Sequence, residues 1–188
     1  TGSLIYMISR RNIRVKVMQT LYTLATSEPG EQEVSKRVGS NILNDKLTRS
    51  LDLFTISILY TIRVAQYAEK DAAYRASKYL PSAADLKVNT KIIENEYILN
   101  ILSNPTFSEK IKEPKIQHFI DDEWVKKLYQ DLVKTPEYEA YISTPDRTSK
   151  EEKAIIQYIW EKGLLANEDL QNHFADELPG WEDDRDMT

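Results

Sequence analysis

The chain has 188 residues and no cysteine, which excludes disulfides and thiolate metal ligation and leaves room for one sizeable domain or a small core with an elaboration. Hydrophobic residues make up 41% and charged residues 29%, which excludes a disordered chain, and five glycines with seven prolines are too few for the tight turns of an all-β fold. The formal net charge of −5 argues against a nucleic-acid ligand, but its distribution is uneven. Between Ser9 and Ser27 stand Arg10, Arg11, Arg14 and Lys16 and no acid, whereas from Glu168 onward acids dominate and only Arg185 opposes them. The most apolar stretch, Leu51 to Ala65, carries Asp52 and Arg63 and reads as a buried helix rather than a membrane span. No secretory leader is visible, and a cytoplasmic location is expected. Thr1-Gly2-Ser3 resembles an expression scar, with Met7 as the expected natural start.

The first helix is predicted from Ser9, as N-cap, to Thr26, with Glu28-Pro29-Gly30 stopping it. Ile13, Val17, Leu21 and Leu24 recur at helical spacing, with Met18 and Ala25 widening a stripe expected to face inward. Helical character resumes near Glu31 and continues through Val34, Val38, Leu43, Leu47, Leu51, Phe54, Ile58, Ile62 and Ala65. Gly39-Ser40 is the expected bend or break, and Leu80-Pro81 the end. Ser82 to Asp85 reads as a capping-type turn. Asn89 or Thr90 opens a helix that ends near Ser103-Asn104-Pro105, and a short turn over Thr106 to Ile111 is closed by Pro114.

Asp121 caps an amphipathic helix with Trp124, Val125, Leu128, Leu132 and Val133 on its inner face. Thr135-Pro136 starts a short helix carrying Tyr138, Tyr141 and Ile142. Thr148 or Ser149 opens the next, with Ile155, Ile156, Tyr158, Ile159 and Trp160 inward, and Asn167 to Leu178 forms the last. The predicted fold class is all-α.

Chemistry concentrates in the string from Arg10 to Tyr22. A guanidinium is a planar, permanently charged fork that suits phosphate and stacks on bases. Three arginines within one and a half turns of a helix end therefore make a compact anion site, for which single-stranded RNA is a natural ligand. Tyr22 offers a further plane on the same helix. Most basic first turns are solvated faces only. Here the cations sit at the helix amino end, where the dipole disfavours them by some tenths of a kcal/mol, and that placement calls for a compensating anion.

The run Arg10-Arg11-x-x-Arg14, followed by four residues and Gln19-x-Leu21-Tyr22, resembles the opening helix of the NusB family of transcription antitermination factors. It departs from the family pattern at Val15, where an acid is common. Leu51 to Phe54 through Tyr67 to Glu69, then Leu86 to Lys91 with Ile93 to Asn95, and Trp181 to Asp184 resemble the long Bacteroidetes-type form, in order along the chain. The resemblance implies a partial NusB-like helical bundle over residues 7–77, an inserted helical subdomain over 78–180, and an acidic linker over 181–188. The family's carboxy-terminal half would follow that linker.

It further implies a non-enzymatic RNA-binding factor that acts on boxA-type RNA in ribosomal RNA transcription. Arg10, Arg11 and Arg14 would grip the RNA, with Lys16 peripheral and Tyr22 stacking. The implied partners are single-stranded boxA RNA, the ribosomal protein NusE and the transcription elongation complex, with no cofactor and no membrane. Half a bundle would expose apolar faces and favour a homo-oligomer. Two alternatives stand beside this reading: the NusB-like RNA-targeting domain of a ribosomal RNA cytosine methyltransferase, and a protein-binding helical adaptor.

Other candidates carry less. His118 and His173 lie far apart in sequence and read as surface histidines rather than metal ligands. Asp121-Asp122-Glu123 reads as negative charge at a helix start, and the acids of 182–186 lack the glycine spacing of a calcium loop. No glycine cluster cradles a phosphate, and no nucleophile with its base can be named. Trp124, Tyr138, Tyr141, Tyr158 and Trp160 read as a satellite core.

Overall fold

A computed structural model describes residues 9–26, 35–83, 85–178 and 180–185. It is all-α, with no strand among the described residues and no helix there long and apolar enough to cross a membrane. The helices are α1 (Arg10–Thr26), α2 (Ser35–Ala76), α3 (Glu96–Ser103), α4 (Pro105–Lys110), α5 (Pro114–His118), α6 (Asp122–Leu132), α7 (Pro136–Ser143), α8 (Ser149–Tyr158), α9 (Glu168–Glu177) and α10 (Trp181–Asp184). Two compact units divide the chain, one within residues 1–54 and 179–188, the other over 55–178. The division falls inside α2, whereas the boundary expected from sequence, 77/78, marks where that helix ends. The expected stop at Glu28-Pro29-Gly30 and the restart at Glu31 lie outside the described residues.

In the first unit, Ser9 caps α1 as expected: its hydroxyl accepts from the Asn12 N–H at 3.1 Å. Gly39 does not break α2, which runs unbroken to Ala76. Its lack of a side chain serves packing instead. It is buried, and a Cβ placed there would stand 2.9 Å from Leu24 Cδ1 of α1. Gly180 just before α10 has φ +87°, a conformation that L side chains rarely adopt, and a Cβ there would meet Arg49 Cδ at 3.0 Å.

The second unit is built around the later part of α2, where Ile56, Leu59, Tyr60, Ile62, Val64, Ala65 and Ala68 are all buried. Side-chain caps start the surrounding helices. Asn95, Asn104, Asp121, Thr135, Thr148 and Asn167 each accept from an N–H in the first turn that follows. Four of those caps, Asp121, Thr135, Thr148 and Asn167, stand where the sequence places a helix start. The start predicted at Asn89 or Thr90 is instead a 3₁₀ turn, Lys91–Glu94, with Asn95 opening α3 behind it. Ser82 and Asp85 form the reciprocal cap expected of them, with Ser82 N–H donating to Asp85 at 3.0 Å and Asp85 N–H to Ser82 Oγ at 3.1 Å. After Tyr158 the helix widens into a π-helical segment, Ile159–Leu165, closed by an Ala166 N–H to Glu161 carbonyl bond of 3.0 Å.

Tyr60 holds the junction of α5 and α6. Its hydroxyl donates to the Phe119 carbonyl at 3.1 Å and accepts from the Asp121 N–H at 2.9 Å, and its ring meets Phe174 edge-on at 5.1 Å. Burial raises its phenol from the ordinary 10 to about 12, against the opposing effect of the Asp121 N–H. The folded chain thus holds this proton more tightly than the unfolded chain, which releases it near pH 10, so stability falls as pH rises from 10 to 12. Burial pushes Tyr129, Tyr138 and Tyr141 the same way. The urea midpoint should drop across that window. Tyr60→Phe should flatten part of the drop while costing about 1–2 kcal/mol at neutral pH through its lost hydrogen bonds. An unaltered alkaline slope in the variant would remove Tyr60 as a contributor.

Candidate nucleic-acid interface

Which face of α1 meets solvent is decided by two polar residues. Lys16 and Thr20, one turn apart, are 4% exposed each, while Met18 is 66%, Leu21 54% and Tyr22 72% exposed. The apolar stripe expected to face inward is therefore split. Ile13, Val17 and Leu24 are half-buried, but Leu21, Met18 and Ala25 face outward. The cause lies at the far end of the chain. Asp184 of α10 is 1% exposed and pairs with the Lys16 ammonium, and its second oxygen accepts from Ser50 Oγ of α2 at 2.6 Å. Thr20 Oγ1 donates back to the Lys16 carbonyl at 2.8 Å, which satisfies that hydroxyl within its own helix.

A lysine buried without a counter-charge would be prohibitive, so the acid and its hydroxyl donor come in together. The acidic end is thus not a solvated linker throughout. Trp181 and Asp184 are buried, while Glu182 and Arg185 stay exposed. Of the five candidate RNA-binding residues, Lys16 is not a surface cation.

At 100° per residue, the direction opposite Lys16 and Thr20 collects Arg11, Arg14, Val15, Met18 and Tyr22. Arg10 lies at its edge. All three arginines are exposed, with no carboxylate partner among the described residues, and the first turn holds no acid. Tyr22 stands about 16 Å along the axis from Arg11, by helical rise. The outward face thus carries cations at its amino end and an apolar, aromatic run beyond them.

Near Tyr22 a cleft of about 460 Å³ opens between α1 and the first part of α2. Gln19, Tyr22 and Thr23 line one side, Lys46 and Arg49 the other, and the Lys16–Asp184 pair with Gly180 lies between. Lys46 and Arg49 were missed in the sequence because each stands alone in a mixed-charge stretch. Their three-residue spacing, which sets them on one helix face, was the available signal.

In the second unit the polar groups serve the fold. Lys91 donates to the carbonyls of Tyr141 (2.9 Å), Thr144 (2.7 Å) and Asp146 (3.0 Å), a cation at the carboxy end of α7, and lies 4.4 Å from the centre of the Tyr141 ring. Buried Glu152 accepts from the Glu96 N–H at 3.0 Å and the Tyr141 hydroxyl at 2.8 Å, while buried Asn95 donates to the Glu152 carbonyl at 2.8 Å. Tyr138 and Tyr141 are buried and Trp124, Tyr158 and Trp160 half-buried. The His118 ring meets Phe119 edge-on, and that of His173 lies tilted against Trp124 and Phe174. Among the described residues no group of three or more His, Asp or Glu could hold a metal ion.

No family model matches the chain, and comparison with curated proteins and with solved structures returns no relative.

Removing one member of a buried pair strands the other charge, at a cost of about 3–5 kcal/mol, whereas removing both is far milder. Asp184→Asn should therefore lower the urea midpoint sharply, and Lys16→Met combined with Asp184→Asn should recover much of the loss. Additive losses in the double variant would show that the two side chains do not act as a pair.

Proposed function

We propose that the chain binds single-stranded RNA through the outward face of α1, as a NusB-like factor acting on boxA-type RNA in ribosomal RNA transcription. One observation carries the reading: Arg10, Arg11 and Arg14 are exposed and lack acid partners among the described residues, at the helix end where the dipole least favours cations. Phosphate supplies the missing countercharge, and Tyr22, 72% exposed, offers a base a stacking plane further along. Binding rather than catalysis is the proposed role. Lys16 is left out of the binding set because its ammonium is engaged with Asp184.

The wider proposals follow from the same helix. NusE and the elongation complex as partners, or a homo-oligomer, would draw on the exposed apolar side chains Met18 and Leu21. Cytoplasmic residence goes with that role.

Arg10, Arg11 and Arg14 replaced together by Ala should weaken binding of a boxA-type oligoribonucleotide at least tenfold near 100 mM salt. The slope of log affinity against log salt should fall by about 2, at roughly 0.7 per phosphate contact on a single strand. Fluorescence anisotropy with a scrambled RNA of equal composition measures both affinity and preference. Unchanged affinity and slope would overturn the RNA reading, and no binding to either RNA by the parent chain would favour a protein-binding adaptor.

A further inference from the structure

The arginines account for a backbone and Tyr22 for a base, but a nucleotide held at Tyr22 also needs a partner for its own phosphate. Its place in the cleft between α1 and α2 gives it a setting. On the α1 side, Gln19, Tyr22 and Thr23 are spaced so that amide, ring and hydroxyl share one face of the helix. On the α2 side, Lys46 and Arg49 share a face in the same way, and neither has a carboxylate partner among the described residues. Asp184 is the one acid among the described residues that line the cleft, and the Lys16 ammonium and Ser50 hydroxyl already occupy its two oxygens. Among the described residues Lys46 and Arg49 therefore have no carboxylate to meet. At about 460 Å³ the space lies within the range of sites that take a small organic ligand.

We infer that this cleft seats one nucleotide of the bound strand, with its base against Tyr22 and its phosphate between Lys46 and Arg49. The inference rests on the RNA reading above and adds α2 to it. A flat ring beside an amide suits a base, which has a face to stack and an edge to hydrogen-bond. Two cations lining the same cleft suit its phosphate. An acidic peptide would use the cations but gain nothing specific from the ring plane. The strand would then run along the outward face of α1 from the arginines to the cleft, and the second helix would fix which nucleotide is held.

The test uses the whole chain and a fluorescein-labelled single-stranded boxA-type RNA, with variants in which one base at a time is replaced by an abasic site. Lys46→Gln with Arg49→Gln should weaken binding about tenfold and lower the salt slope by about 1.4, the share of two phosphate contacts. Tyr22→Ala should lose about tenfold or more, and Tyr22→Phe, which keeps the ring, should retain affinity. One abasic position should cost the parent chain as much as Tyr22→Ala does and cost the Tyr22→Ala variant nothing further. That non-additivity separates a seated base from a general loss of structure.

If the arginine variant loses binding while the Lys46/Arg49 and Tyr22 variants bind as the parent does, the cleft assignment falls and the RNA reading stands. If Tyr22→Ala weakens binding to every abasic RNA equally, the assignment also falls. If the arginine variant binds unchanged as well, both fall together.

Discussion

A buried ammonium constrains the first unit more than any apolar contact does. Lys16 sits in a basic segment that reads as a surface, yet it is turned inward onto Asp184, and everything else on α1 follows from that rotation. A helix has one azimuth. With Lys16 and Thr20 inside, Arg11, Arg14, Met18 and Tyr22 are outside by periodicity alone. The pair need not stabilise the fold, since dehydrating two charges offsets much of their attraction. Its effect is on orientation. An apolar residue in place of Lys16 would be content in several nearby rotations, whereas an ammonium that must meet one carboxylate accepts a single one.

In the second unit it is satisfaction of backbone groups that ties the irregular part of the chain down. The segment from Asn89 to Asn95, ahead of α3, has only the 3₁₀ turn Lys91–Glu94 as regular structure, so its groups and those it faces need partners from elsewhere. Asn89 donates to the Ile142 carbonyl at 3.0 Å, Lys91 takes three carbonyls in and just beyond the last turn of α7, and Arg147 reaches the Glu94 carbonyl and carboxylate at 2.8 Å each. Asn95 and Glu152 complete the tie from within the core. An irregular segment is in this way locked to α7 and α8 without strands.

Local signals carried the sequence reading as far as they reach. Ser9, Asp121, Thr135, Thr148 and Asn167 announce their helices because a cap is written within four residues, and apolar periodicity marks the buried part of α2. What failed was non-local. The stripe through Leu21 is periodic enough to look inward, and nothing near it in sequence reveals that Asp184 will claim the neighbouring face. Gly39 reads as a breaker because its role, close approach of Leu24, belongs to a second helix. The π-helical segment at Ile159–Leu165 has no composition that distinguishes it from α-helix. The candidate site divides likewise: the arginines and Tyr22 were legible as a motif, Lys46 and Arg49 were not, since only the packing of α2 beside α1 places them near the ring.

Asp184 lies 168 residues beyond Lys16, and that separation has a temporal meaning. A chain made from its amino end at about 5–20 residues per second exposes α1 on the order of ten seconds before its counter-ion exists. Throughout that interval Lys16 must stay in water, and α1 has no reason to prefer one rotation. The complete second unit, residues 55–178, is synthesised in the gap and can fold within itself. The first unit closes only after α10 has emerged, so its outward face is fixed only when synthesis has passed Asp184.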